Sequence, residues 1–200
     1  MNPIAQFALI IAAGIAYAAG IWYFRRRRAW LGYYLFATTG MTLLVVFGAN
    51  ATGIAGNIEY IVTWLAAKTS VLCGMTAMQI GQNELMIADK AGWVVLKTTI
   101  ECSALIETSV LLSLIIFYPA FDWKKKLGII AIGLPVTWVA NILRLLIITG
   151  MTAWMGREAI FFGHALIGRL FFLVVMIALY WYVLTKPTIN KIGEGLAEEG

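Results

Sequence analysis

Five stretches of about twenty residues each, at 4–24, 29–49, 101–118, 127–150 and 165–184, are so apolar that water is the wrong solvent for them. A hydrocarbon core roughly 30 Å thick is crossed by about twenty helical residues, because each adds about 1.5 Å of rise. The totals agree: 62% of the residues are apolar and 12% are charged, against roughly 45–50% and about 25% in soluble domains. The chain therefore reads as an all-α polytopic membrane protein with about five transmembrane helices. These form one membrane domain over residues 1–192, followed by a polar tail, 193–200, expected to be disordered.

The net charge of +5 is gathered in two blocks, Arg25 to Arg28 and Lys124 to Lys126. It is not spread over a basic face interleaved with aromatic residues, so nucleic acid is not an expected partner. Such clusters tend to stay on the cytoplasmic side and so report topology. Residues 1–24 are uncharged and the arginines follow them, the reverse of a signal peptide, which predicts a retained first helix running from outside to inside. The segment 57–81 is long enough to cross, but a crossing would put one of the two basic blocks outside. It is read instead as an outer interfacial helix with Ile58, Val62, Leu65, Thr69 and Leu72 on its apolar stripe. Two short apolar runs around "DKAG" predict an outer β-hairpin over 84–100.

This topology places nine Lys or Arg inside, including Lys186 and Lys191, and four outside: Lys68, Lys90, Lys97 and Arg157. The N-terminus lies outside and the C-terminus in the cytoplasm. Trp22, Trp30, Tyr118, Trp123, Trp154 and Trp181 fall near span ends, where amphipathic rings favour the interface.

An ionised side chain near the bilayer centre costs at least about 2.5–3.5 kcal/mol on insertion scales, so each one needs a reason. Glu107, Arg144 and Arg169 are such residues, with Asn141 as a neutral companion. On the topology above all four lie in the outer half, Arg144 roughly 9 Å from the end of its helix. Cys102, beside Glu101, opens one span and His164 opens the last. Three separate spans thus bring a thiol, a guanidinium and an imidazole to one stratum.

A free thiol is only slightly ionised at neutral pH, but a histidine can take its proton and a cation favours the thiolate. Arg144 stays charged, so it is no base; it suits an oxyanion or a substrate carbonyl. Asn141, three residues earlier, is placed to orient it. Plainer readings stand beside these. Cys102 alone is a small apolar residue, Arg169 and Glu107 can neutralise each other, and Cys73 is either packing or a disulfide partner of Cys102. Pro135 is expected to kink its helix near the site. Two cysteines and one histidine are too few soft ligands for a metal centre, and no cofactor is called for.

The blocks "ECSALIE" at 101–107, "ANILR" at 140–144 and "GHALIGR" at 163–169 resemble the signature blocks of the exosortase/archaeosortase family of membrane cysteine transpeptidases. The likeness runs from about Asn57 to Ile189. "IECS", "GHALIGR" and "YWYVLTKP" are most similar to the small Gram-positive branch, often called exosortase G. The resemblance implies a membrane-anchored substrate protein with a C-terminal sorting signal: a short motif, a hydrophobic helix and a basic end. By position it makes Cys102 the acylating nucleophile, His164 the proton shuttle, Arg144 the stabiliser of the tetrahedral intermediate and Asn141 the family's asparagine. The acceptor, an amine, a hydroxyl or water, stays open. One departure is Ala104, where the family usually has glycine after "CS". A rival from another class is a non-catalytic membrane scaffold in an envelope-polysaccharide or secretion assembly, with Arg144 and Glu107 as structural charges. A transporter has less support, because no inverted repeat is visible.

Overall fold

A computed structural model describes residues 3–89, 92–187 and 189, with side chains from residue 8 onward. Lys90, Lys191 and the tail 193–200 lie outside the described residues. The chain is mostly helical: α1 (Pro3–Arg26), α2 (Trp30–Ala51), α3 (Ile54–Leu72), strands β1 (Ala77–Gln79), β2 (Glu84–Asp89) and β3 (Gly92–Lys97), then α4 (Leu105–Phe117), α5 (Trp123–Met155) and a last helix, Ala159–Thr185. Among the described residues, four helices are long and apolar enough to cross a membrane: Ala8–Arg26, Trp30–Ala51, Trp123–Met155 and Ala159–Thr185. This is a membrane protein. Helix α4, with 13 residues, is shorter; at about 1.5 Å per residue it covers roughly 20 Å.

Helix α5 is the hub. It packs on α3, on β2, on α4 and on the last helix, while α2 lies between α1 and α4. It runs unbroken through Pro135, whose missing N–H leaves the Ala131 carbonyl without its usual donor. It also continues to Met155, past the expected end at 150. One core cluster joins Val62 and Ala66 of α3, Leu85, Ile87 and Leu96 of the sheet, Cys102, and Leu145 and Ile148 of α5. A second joins Leu111 and Ile115 of α4 with Phe172, Met176 and Leu179 of the last helix.

Three sequence expectations change. The helix read over 57–81 ends at Leu72, and Ala77–Gln79 pairs with β2, so the sheet has three antiparallel strands in the order β1-β2-β3. Of the expected stripe on α3, Val62 is buried, Ile58, Leu65 and Thr69 are half-buried, and Leu72 is 85% exposed, while Ala55, Thr63, Ala66, Ala67 and Ser70 complete the buried face. Small residues on that face let the helix backbone approach its neighbours. Finally, the span expected to open at Glu101 begins as a helix only at Leu105. Residues Ile100–Cys102 form a single 3₁₀ turn.

Lys126 was grouped with Lys124 and Lys125 as a loop cation. It is instead buried, and its Nζ donates to the Ile116 carbonyl near the end of α4, with the charge also over the Trp123 ring. A cation there satisfies a carbonyl that the helix leaves unpaired. Lys126→Ala should therefore lower stability by about 1–3 kcal/mol, whereas Lys124→Ala should stay within about 0.5 kcal/mol. Thermal unfolding of the two variants in detergent would test this, and equal melting temperatures would count against the buried bond.

Candidate active site

The strand β3 leads directly into the site. Thr98 N–H donates to the Asn83 carbonyl at 2.7 Å, and the 3₁₀ turn follows, closed by Cys102 N–H to the Thr99 carbonyl at 2.8 Å. Ser103 Oγ also donates to the Ile100 carbonyl at 2.8 Å. Ala104 then takes φ 59°, ψ 14°, and α4 starts one residue later. That left-handed conformation costs a residue with a Cβ roughly 1–2 kcal/mol. It also has a use. In a continuous helix the carbonyls of Glu101 and Cys102 would be taken by N–H groups four residues on; the break leaves both free.

Two side chains of α5, one turn apart, take those carbonyls. Asn141 Nδ2 donates to the Cys102 carbonyl at 2.8 Å, and Arg144 Nη1 donates to the Glu101 carbonyl at 3.2 Å. Asn141 thus holds the cysteine's own backbone rather than orienting Arg144. The second terminal nitrogen of Arg144, Nη2, lies 4.0 Å from Cys102 Sγ. Arg144 is 3% exposed, and its guanidinium sits over the Phe172 ring at 5.6 Å. Cys102 itself is 2% exposed. Both cysteines are free thiols, so no disulfide joins Cys102 to the exposed Cys73.

His164 comes from the last helix, where residues Phe162–Ile167 widen into a π-helical turn. Such wide turns are frequent at functional sites because they re-aim a side chain. Its Nε2 lies 3.3 Å from Cys102 Sγ. One glycine allows the approach: a Cβ on Gly168 would stand 2.8 Å from the Gly163 carbonyl oxygen and 3.1 Å from Ile148 Cγ1.

The structure therefore brings Cys102, His164, Arg144 and Asn141 together. It places the other expected residues differently. Arg169 pairs with Glu101 at 3.3 Å, not with Glu107, and the two side chains are 57% and 67% exposed. An ion pair that open to solvent contributes about 0–1 kcal/mol. Glu107 lines a groove of about 560 Å³ between α4 and the last helix, with Arg144 at its floor and one carboxyl oxygen, Oε2, buried without a partner. Phe172 was not anticipated. The signal was available, since Phe172 follows His164 at helical spacing of two steps of four, through Gly168. Among the described residues no group of three His, Cys, Asp or Glu is placed to hold a metal ion.

With the geometry in view, the comparisons are narrow. The family described as Transmembrane exosortase (Exosortase_EpsH) matches residues 1–181. No curated protein and no solved structure matches.

Two substitutions probe how the site is held. Ala104→Gly relieves a positive φ at a buried position, and should raise stability by about 1 kcal/mol, read as a higher melting temperature. Gly168→Ala forces its Cβ against a backbone oxygen, so it should displace the His164 turn and cost about 1–3 kcal/mol. Unchanged melting of the Gly168 variant would show that the last helix has room to spare.

Proposed function

The chain belongs to the transmembrane exosortase family, and from that premise we propose that it is a membrane-embedded cysteine transpeptidase acting on the C-terminal sorting signal of a membrane-anchored protein. The observation that carries the reading is the pair of contacts on one sulfur, His164 Nε2 at 3.3 Å and Arg144 Nη2 at 4.0 Å. They supply a base and a fixed positive charge to a thiol shielded from water.

The substrate's membrane helix enters the groove between α4 and the last helix, which both lean on α5. Its scissile carbonyl comes to Cys102. His164 takes the thiol proton, the sulfur attacks the carbonyl carbon, and negative charge develops on the oxygen. Arg144 opposes that charge. The carbon–nitrogen bond then breaks, His164 protonates the departing amine, and a thioester remains on Cys102. An acceptor amine or hydroxyl, or water, attacks the thioester and releases the thiol. The exposed Arg169–Glu101 pair spans the mouth of the groove and is weak enough to open for an incoming chain.

We place five spans in a single membrane domain, with α4 as the short one, the N-terminus outside and the C-terminus in the cytoplasm. Helix α3 and the sheet then cover Cys102 from the outer side, and the charge bias of the two basic blocks supports this orientation. The blocks "GHALIGR" and "YWYVLTKP" favour the small Gram-positive branch.

The scaffold alternative draws on one observation: Arg144 and Asn141 bond backbone carbonyls, as purely structural residues would. Trapping decides between the two. Mass spectrometry of the protein recovered from cells that make its substrate should find an acyl adduct on Cys102 in the wild type and none in His164→Ala. Cys102→Ala should fold normally and process nothing, and Arg144→Ala should lose about 10²–10³ in turnover. Normal processing by the Cys102 variant would end the proposal. Simple thiol labelling is a poorer test, because exposed Cys73 reacts by access alone.

A further inference from the structure

One end of the bundle carries positive charge that the described residues do not neutralise. Helix α1 stops there, α2 starts, α4 stops and α5 starts: Tyr33 meets Phe117 at 6.2 Å and Tyr34 meets Tyr118 at 6.0 Å. The last helix ends there as well, because its Tyr180 and Val183 pack against the same cluster as Ile129 and Ile130 near the start of α5. Arg25 to Arg28, Lys124, Lys125 and Lys186 are all exposed at this end. Among the described residues Asp122 is the one carboxylate beside them, and no ion pair joins it to any of them. The negative pole of α1 amounts to roughly half a charge. The run Arg25 to Arg28 exceeds what that pole needs.

The arginines are also held in place. Arg26 lies over the Trp22 ring at 5.2 Å and Arg27 over the Tyr23 ring at 5.4 Å. A ring occupies one face of a guanidinium, while the N–H groups point outward in its plane and stay free for an acceptor. Below the arginines the surface changes character. Ala18, Ile21, Trp22, Arg25 and Arg26 recur at spacings of three and four, so they share one face of α1. They line a cleft of about 410 Å³, apolar toward the middle of the helix and cationic at its end. A different face of α1 packs on α2, through Tyr17 and Phe24 against Phe36. The cleft therefore faces the bilayer, and no residue of α1 from Ala8 to Arg26 is buried.

An acyl chain beneath a phosphate satisfies both halves of such a cleft. Free phosphate would leave the apolar half unused, and an acidic peptide would have to carry its backbone into hydrocarbon. We infer that the cleft is a binding site for an anionic phospholipid, with an acyl chain along Ala18, Ile21 and Trp22 and the headgroup phosphate between Arg25 and Arg26. The positive field of Arg27, Arg28 and the lysines favours a headgroup of net negative charge over a zwitterionic one. This inference depends neither on the transpeptidase reading nor on which side of the membrane this end occupies.

The test presents the full chain, in detergent micelles, with equal amounts of phosphatidylglycerol and phosphatidylcholine that carry identical acyl chains. Native mass spectrometry counts the lipid retained on the protein. Each basic residue near a headgroup is worth about fivefold, so the wild type should retain phosphatidylglycerol in about tenfold excess or more. The double variant Arg25→Gln, Arg26→Gln should lose about that factor. Removing two cations elsewhere, Lys68→Gln with Arg157→Gln, should leave the excess unchanged. Trp22→Ala keeps every charge but removes a wall of the cleft, and should lower retention about threefold. Glycerophosphoglycerol, the headgroup without acyl chains, should not displace the lipid. Deleting residues 193–200, whose glutamates are a rival occupant, should also leave the excess unchanged. Equal retention of the two lipids by the wild type overturns the inference, and that result needs no variant to fold. So does an unchanged excess in the arginine variant, an equal loss in the distant pair, or full retention by Trp22→Ala. Displacement by the bare headgroup reassigns the cleft to small phosphate esters, and an excess seen only after deletion of the tail reassigns it to the tail; either result overturns the lipid.

Discussion

Everything at the site depends on two consecutive carbonyls that a helix would have consumed. Glu101 and Cys102 keep theirs free because Ala104 turns left-handed, and α5 fills them with Arg144 and Asn141. The dependence runs both ways. An arginine 3% exposed needs partners inside the protein, since desolvating a charge without them is costly. The turn provides a carbonyl, Phe172 an aromatic face and Cys102 a polarisable sulfur. The arginine is held by the same peptide unit whose neighbouring sulfur it faces, so the charge cannot drift away from the thiol without breaking the turn. Its Nε, buried and unpaired, marks where the arrangement remains incomplete.

Lipid sets the packing rules around that turn. Large side chains such as Ile61, Trp64 and Leu72 of α3 face outward, and small ones face α5 and the sheet. Gly168 applies the same rule where the last helix meets Ile148. Backbone approach there helps the imidazole of that helix reach the thiol on the 3₁₀ turn. In water such a glycine would look like a defect; in hydrocarbon it is a means of contact, because burial of large side chains gains little over lipid.

Much of the site was legible in the sequence because the bilayer makes charge rare. Cys102, Arg144 and His164 stand out against apolar spans, and the charge-based topology places them at one depth. The break at Ala104 was not legible. Glycine would have announced a positive φ, whereas alanine gives no such signal. The buried face of α3 is only partly legible for a related reason: Val62 of the apolar stripe is buried, but the small residues Ala66, Ala67 and Ser70 that share its face carry little hydrophobic signal. Partner choice also escaped. The charge-based topology matches Arg169 to Glu107, yet the non-helical turn places Glu101 within its reach. Lys126 was misassigned because three adjacent lysines look alike until one of them finds a carbonyl.

The open groove between α4 and the last helix follows from the same solvent argument. Both helices pack on α5, and they meet each other only along Leu111, Ile115, Phe172, Met176 and Leu179 among the buried residues described, which leaves the groove open beside that seam. In a bilayer the space between them is filled by acyl chains, and exchanging those chains for an apolar helix changes little free energy per unit area. Apolar fit therefore cannot distinguish a peptide helix from the surrounding lipid. Discrimination has to come from the few polar atoms that lipid leaves unsatisfied, since a buried group without its partner costs far more than a misplaced methylene. In the lining of this groove, open polar groups are those of Glu101 and Arg169, whose side chains are 67% and 57% exposed. One accepts and the other donates, which matches the N–H and C=O that a peptide carries and an acyl chain lacks.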